Sequence, residues 1–194
     1  MAGFKYNLPP KDEKEERYDV STGLRRRGSY ILDVTGLPIG SYVPSFTPIA
    51  ADLVAKTAKI VVNALVKENV GASDVKVKIA KGSYVQVGTV LGTGTKGSTV
   101  QAIDKSNADY DELTLAAAFG VSVKSGDVLF EAKAADGKEP KNLANSALYE
   151  THKVIEGINN VALLQRAFEI EPEKLVTPFS VKDKANLPHF QFNE

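Results

Sequence analysis

Several residue types whose chemistry often identifies a function are missing or scarce in this chain of 194 residues. The absence of cysteine excludes disulfides, thiolate zinc sites, iron–sulfur clusters and cysteine nucleophiles. The two histidines, His152 and His189, lie far apart and belong to no metal-binding motif. Because 24 basic residues balance 24 acidic ones, bulk electrostatic binding to nucleic acid or anionic lipid is not the main activity. We therefore expect no cofactor, no metal and no nucleic-acid partner.

Long hydrophobic runs are also missing. The first ten residues contain no apolar run, and residues 11–17 are all charged. This pattern fits neither a signal peptide nor a membrane span. The sequence predicts a protein that is synthesised in a cytoplasmic space and has no membrane partner.

The composition of residues 1–48 differs from that of the rest of the chain. Five of the nine prolines fall there, together with blocks of charge and scattered aromatic residues. Proline removes a backbone donor and favours extended neighbours, so this composition predicts an extended N-terminal arm. We expect the arm to be ordered by docking on the body or on a partner.

Residues 49–194 predict a β-rich body that ends in a segment of strands and a short helix. Alternation of apolar and lysine residues predicts a strand at 75–79 that is wet on one face. Shorter strands are predicted at about 85–92, 99–103, 112–117, 126–133, 147–155 and 160–170, with a final one around Phe190 and Phe192. Residues 49–68 fit either strands or a helix. Ser180 and Asp183 form a capping-box pattern that opens a short helix.

An internal echo relates residues 81–91 to residues 119–129. Five positions 38 residues apart carry the same residue, in the order Gly, Val, Gly, Val, Leu. Glycine ahead of a run of polar and apolar residues turns the chain into a strand. The echo therefore suggests two similar corners of one small barrel or sandwich, although a generic turn pattern also explains it. The predicted fold class is mostly β, with one or two short helices and the N-terminal arm.

Two motifs invite a catalytic or metal-binding interpretation. Residues 92–97 read G-x-G-x-x-G, but a strand pattern follows where a dinucleotide site needs a helix, so a hairpin loop is favoured. Asn107, Asp109 and Asp111 have the spacing of a calcium loop, but Glu112 replaces its glycine and Ala118 its closing glutamate, which favours a solvated loop. No catalytic constellation remains, and we expect a protein that is not an enzyme.

The arm from Lys14 to Tyr30 and on to Pro38 is similar to that of head fiber proteins from tailed phages and prophages of gut Bacteroidales. The same family is resembled by residues 81–91, 102–111 (Ala-Ile-Asp-Lys-Ser-Asn-Ala-Asp-Tyr-Asp), 126–130 and the closing 180–184 with Phe190. A looser resemblance is to lambda-type head decoration proteins, which are β-rich and trimeric and bind capsomers partly through an arm.

The resemblance implies a non-enzymatic head fiber or decoration protein, made in the bacterial host cytoplasm and mounted on the outer capsid surface of the virion. The implied partners are the major capsid protein and, in a homotrimer, further copies of the chain. The family has no catalytic residues to transfer. An alternative is a carbohydrate- or host-surface-binding adhesion module whose Tyr84, Tyr110 and Tyr149 stack on sugars.

The residues of the arm themselves indicate which side chains dock on capsid or on a sister subunit. Aromatic side chains supply large contact area, so we expect four of them to be anchors. Guanidinium groups bind carboxylates through paired donors, so three adjacent arginines are expected to meet acidic capsid surface. The predicted docking residues are Tyr18, Tyr30, Tyr42 and Phe46 as anchors, and Arg25, Arg26 and Arg27 as the basic contacts.

Overall fold

The computed structural model describes residues 17–193, and the fold is mostly β as the sequence predicts. In chain order the strands are β1 (Asp19–Arg25), β2 (Tyr30–Asp33), β3 (Tyr42–Val43), β4 (Pro48–Asp52), β5 (Thr57–Ile60), β6 (Asn63–Leu65), β7 (Lys76–Ala80), β8 (Val90–Gly92), β9 (Gly97–Asp104), β10 (Tyr110–Leu115), β11 (Val128–Glu131), β12 (Ser146–Leu148), β13 (His152–Lys153), β14 (Asn160–Val161), β15 (Leu163–Ile170) and β16 (Phe190–Phe192). A single turn of 3-10 helix spans Pro172–Lys174, and α1 spans Val181–Ala185.

Eight strands form a sheet that draws on both ends of the described chain, here called the split sheet. Its order is β1-β15-β12-β4-β5-β2-β14, and β16 pairs in parallel with β15. The small pair of β3 and β13 accompanies it. Two clusters of buried residues line this region, one around Phe46 and Leu164 and the other around Tyr30 and Leu163.

The intervening residues form a second unit, here called the barrel. Its strands follow the order β6-β11-β8-β9-β10-β7, and a bridge between Val66 and Ile79 joins the last strand to the chain just after the first. The six-stranded sheet is thereby closed on itself. A separate cluster of 13 buried residues, including Ile79, Leu91, Leu113 and Leu129, fills the interior.

The internal echo is a structural repeat within the barrel. The barrel consists of two equivalent sets of three strands, in which β6, β7 and β8 correspond to β9, β10 and β11. If the two sets are exchanged, every strand keeps equivalent neighbours on both sides. The equivalent corner glycines all have φ between +72° and +92°, a region that side chains disfavour. The paired positions are Gly82 and Gly120, Gly88 and Gly126, Val85 and Val123, Val90 and Val128, and Leu91 and Leu129. The prediction of two similar corners of one barrel is confirmed.

Residues 17–48, expected to form most of an extended arm, lie within the split sheet. β1 pairs with β15, β2 lies between β5 and β14, and the expected boundary at 48/49 falls at the start of β4. The prolines of this segment fit turns and a strand start, because Ser41 and Thr47 donate to the carbonyls of Pro38 and Pro44. Residues 1–16 of the expected arm lie outside the described residues. The region 49–68, left open between helix and strands, forms β4, β5 and β6.

The capping box at Ser180 is confirmed, and its aspartate also joins distant parts of the chain. Asp183 is 1% exposed and its Oδ2 accepts hydrogen bonds from the Ser180 backbone (3.0 Å), the Ser180 hydroxyl (2.6 Å) and Asn63 Nδ2 (2.8 Å). Its Oδ1 accepts from the Ala144 backbone at 2.9 Å. One buried carboxylate therefore ties α1 to the first barrel strand and to the segment before β12. Within residues 17–193, no helix is long and apolar enough to cross a membrane.

Candidate docking surface

The three adjacent arginines sit where β1 ends, and the structure gives them different roles. Arg26 points into the split sheet, donating from Nε to Ser146 Oγ (2.7 Å) and from Nη2 to the Asn145 carbonyl (2.8 Å). Arg25 and Arg27 are exposed. The guanidinium of Arg25 lies 4.7 Å from the centre of the Tyr149 ring, an arrangement that orients the charge while leaving its edge in solvent.

A fourth arginine joins this edge from the far end of the sequence. Arg166 is paired with Leu24 across β1 and β15, is exposed, and donates from Nε to the Thr22 carbonyl at 3.2 Å. We call the exposed guanidiniums of Arg25, Arg27 and Arg166 the arginine edge. Sequence reasoning missed Arg166 because only the pairing of β1 with β15 brings it beside residues about 140 positions earlier.

Exposed apolar side chains accompany the arginine edge along the same two strands. Val20 is 60% exposed, Leu24 43% and Phe168 37%. The pairing of β1 with β15 is irregular, with register shifts between Asp19 and Leu24 and between Leu24 and Arg25. β1 therefore has extra residues opposite β15, and the Thr22 hydroxyl accepts from the Phe168 backbone in place of a ladder bond. The bulge holds apolar and basic groups together on an exposed surface.

The four aromatic residues predicted as anchors differ in accessibility. Tyr30 and Phe46 are 2% and 1% exposed, so in this fold their rings belong to the core of the split sheet. Tyr18 is partly buried beside Phe46, with 5.0 Å between ring centres, and burial raises the pKa of its phenol. Tyr42 is 40% exposed and lies 6.0 Å from Lys153 Nζ. Of the four rings, Tyr42 is the one most available to a partner.

The glycine-rich motif at 92–97 forms the turn between β8 and β9, as the sequence predicts. Gly92 pairs with Gly97, and Thr93 donates from its backbone to the Lys96 carbonyl at 2.8 Å. A methyl group added at Gly97 would lie 2.7 Å from the Cα of Gly137, closer than packed atoms approach. Gly92 and Gly97 therefore serve the close packing of this turn against the Gly137 backbone, and Gly94 supplies the positive φ of the turn.

The acidic turn at 104–112 also has a structural explanation. Asp111 is 4% exposed and pairs with Lys81, whose Nζ lies 2.6 Å from its Oδ1, while Asn107 accepts from the Asp109 backbone. Across residues 17–193, no three side chains of metal-binding type come together. Asp111 thus fixes a corner of the barrel to β10.

The tyrosines considered for sugar stacking are occupied by other contacts. Tyr149 packs in the cluster around Phe46 and faces Arg25, and Lys78 Nζ lies 4.7 Å from the Tyr110 ring centre. Tyr84 packs against the cluster around Tyr30, and burial raises its pKa to about 12. These placements favour packing roles for all three.

A family model described as "Head fiber protein", of phage, matches residues 2–193, nearly the whole chain. No curated protein and no solved structure matches the chain.

Proposed function

The chain belongs to the phage head fiber protein family, and on that premise we propose that it attaches to the outside of the capsid through the arginine edge. The family makes the chain a phage structural protein and a component of the virion. The proposed partner is an acidic surface of the major capsid protein. In this proposal the protein is synthesised in the host cytoplasm, performs no catalysis and is retained on the assembled head.

The observation that carries this proposal is the concentration of exposed arginine on one edge of a chain with no net charge. Arg25 ends β1, Arg27 follows two residues later, and Arg166 lies in β15, which is distant in sequence. Their neighbours Leu24 and Phe168 are exposed apolar groups. Guanidinium groups are less strongly hydrated than ammonium groups and bind carboxylates through two donors at once. An arginine-rich surface with an apolar component has the composition of a protein interface.

We propose further that the chain acts as a homotrimer. A fiber mounted on a shell gains from several weak contacts, because the first contact raises the effective concentration of the others. Three copies of the arginine edge would bind a capsid more tightly than one. The mass of the purified protein, measured by sedimentation equilibrium, tests this part of the proposal.

Capsid attachment is tested by sedimenting the protein with purified capsids at increasing salt. The double variant Arg27→Ala/Arg166→Ala should bind at least tenfold more weakly at low salt, and the residual binding should depend less on salt. The matched control, Lys96→Ala/Lys138→Ala, removes two exposed charges from barrel loops and should bind like the wild type. Equal binding by both double variants would refute the role of the arginine edge.

The alternative function, a carbohydrate- or host-surface-binding adhesion module, is distinguished by a different binding measurement. Glycan binding by the isolated protein without affinity for capsids would favour it. The rings of Tyr84, Tyr110 and Tyr149 already make contacts within the protein, which argues against sugar stacking and so against the alternative.

A further inference from the structure

A short loop at the end of the split sheet opposite β1 is held rigid by one buried side chain. Asn159 is 1% exposed, and its Oδ1 accepts from the Ile155 backbone at 2.9 Å and lies 2.9 Å from His152 Nε2. Its Nδ2 donates to the carbonyls of Ile155 (2.9 Å) and Gly157 (3.1 Å). The amide uses all its groups, so residues 155–159 have a fixed conformation before any partner binds.

The rigid loop presents isoleucine to solvent. Ile155 is 49% and Ile158 64% exposed. Two further isoleucines lie on segments bonded to the same loop: Ile31 (46%) pairs with Asn160, and Ile39 (70%) precedes Gly40, whose backbone donates to the Val154 carbonyl. We call Ile31, Ile39, Ile155, Ile158 and the neighbouring Tyr42 the isoleucine end. Clustered exposed apolar groups of this kind mark interaction surfaces in soluble proteins.

We propose that the isoleucine end is the surface through which copies of this chain associate. The inference rests on the homotrimer of the proposed function and names its interface. β14 is the last strand of the split sheet, so among the described residues no further strand covers the isoleucine end on that side.

The charges around the isoleucine end favour a second copy as the occupant. Lys153 and Glu156 are both exposed and lie on either side of Ile155. A surface with both signs at its rim is self-complementary, because rotation brings the lysine of one copy to the glutamate of the next. The fixed loop lowers the entropic cost of association.

The test compares two substitutions at equally exposed positions. Ile158→Asp places a charge in the isoleucine end, and Val87→Asp places one on the barrel at the same exposure of 64%. We expect the wild type and the Val87→Asp variant to sediment as trimers and the Ile158→Asp variant to dissociate at least tenfold more readily. Since both side chains are exposed, thermal melting should show that each variant is folded.

The outcomes separate this proposal from the proposed function. A trimer in both variants overturns the isoleucine end as the interface, and so does a wild type that is monomeric at all concentrations. An Ile158→Asp trimer that no longer sediments with capsids also overturns it, because the surface would then dock on the capsid. A monomeric Ile158→Asp variant, beside a trimeric wild type and a trimeric Val87→Asp variant, supports the proposal, whether or not capsid attachment through the arginine edge is found.

Discussion

The barrel and the split sheet differ in how far apart along the chain their paired strands lie. The barrel closes within one continuous stretch, and its two halves repeat the same three strands and the same glycine corners. The split sheet joins the two ends of the described chain, as when Arg26 bonds Ser146 120 positions later. Long-range pairings of this kind must overcome more loop-closure entropy before they contribute. The barrel therefore depends on local information, and the split sheet on a few long-range contacts.

The buried Asp183 joins the two regions, because Asn63 of the barrel and the non-barrel residues Ser180 and Ala144 all donate to its carboxylate. In the variant Asp183→Ala, four hydrogen bonds disappear and donors on Ser180, Asn63 and Ala144 stay buried without this acceptor. We expect the free energy of unfolding to fall by about 3–4 kcal/mol, measured by urea denaturation. The control Val181→Ala, at an 83% exposed position of the same helix, should change it by less than about 0.5 kcal/mol.

Hydrogen exchange on the Asp183→Ala variant sharpens the comparison. Amides of the split sheet should lose protection first, because Ser180 and Ala144, which supply three of the four hydrogen bonds to Asp183, lie outside the barrel in segments that lead into strands of the split sheet. Equal loss of protection in both regions would show that they unfold as one unit. If Asp183→Ala lowers the free energy of unfolding by less than about 1 kcal/mol, the role of the carboxylate is contradicted.

The long-range character of the split sheet is tested by two adjacent arginines. Arg26→Ala removes the bonds to Ser146 and Asn145 and should lower the free energy of unfolding by about 1–2 kcal/mol. Arg27→Ala, at an exposed position, should lower it by less than about 0.5 kcal/mol. Chemical denaturation of the two variants gives the comparison, and a larger loss for Arg27→Ala would contradict it.

The same contrast between local and long-range contacts explains which elements of the fold could be predicted from the sequence. The strand at 75–79, the hairpin at 92–97 and the capping box at Ser180 depend on neighbours within a few residues, and the structure has all three. The glycine echo was visible because equivalent corners need the same positive φ. Local elements of the barrel and the likeness of its corners were thus predictable, but its first strand, its strand order and its closing bridge were not.

The candidate site was harder to predict because it depends on tertiary pairing. Proline and mixed charge in residues 17–48 suggested an arm, but β1 and β2 find partners far along the chain. Burial of Tyr30 and Phe46 follows from those pairings, as does the position of Arg166. Strands of two residues, such as β3 and β14, are too short to show alternation. The docking residues predicted from the sequence include Arg25 and Arg27 of the proposed arginine edge but not Arg166.

The repeat within the barrel predicts that alanine in place of glycine at equivalent corners lowers the free energy of unfolding by equal amounts. Gly88 and Gly126 have φ of +91° and +92°, and an added Cβ would touch nothing within 4 Å at either position. Alanine at each should therefore lower the free energy of unfolding by about 1 kcal/mol, through backbone strain alone. Urea titration of both variants, with the exposed Ser122→Ala as control, measures this. Costs that differ by more than about 1 kcal/mol would break the equivalence of the two halves.

The smallest predicted effect is a loss of stability at alkaline pH, and it concerns a position at which the two halves of the repeat carry different residues. Tyr84 corresponds to Ser122 in the second half and packs against the cluster around Tyr30 in the split sheet. Burial raises the pKa of its phenol from 10.0 to about 12, which a hydrogen bond with Thr47 partly opposes. Because the folded state holds the proton more tightly than the unfolded state, this contribution is complete below pH 10 and is lost as the pH rises to about 12.

Urea midpoints measured between pH 9 and pH 12 should therefore fall more steeply for the wild type than for Tyr84→Phe, which cannot titrate. Ionisation of Tyr18, whose pKa burial also raises, is common to both proteins and cancels in the comparison. Parallel slopes would mean that the phenol of Tyr84 is ionised as easily in the folded state as in the unfolded one. The contact between the barrel and the split sheet would then be open to water at this ring, while the bond between Asp183 and Asn63 stays buried.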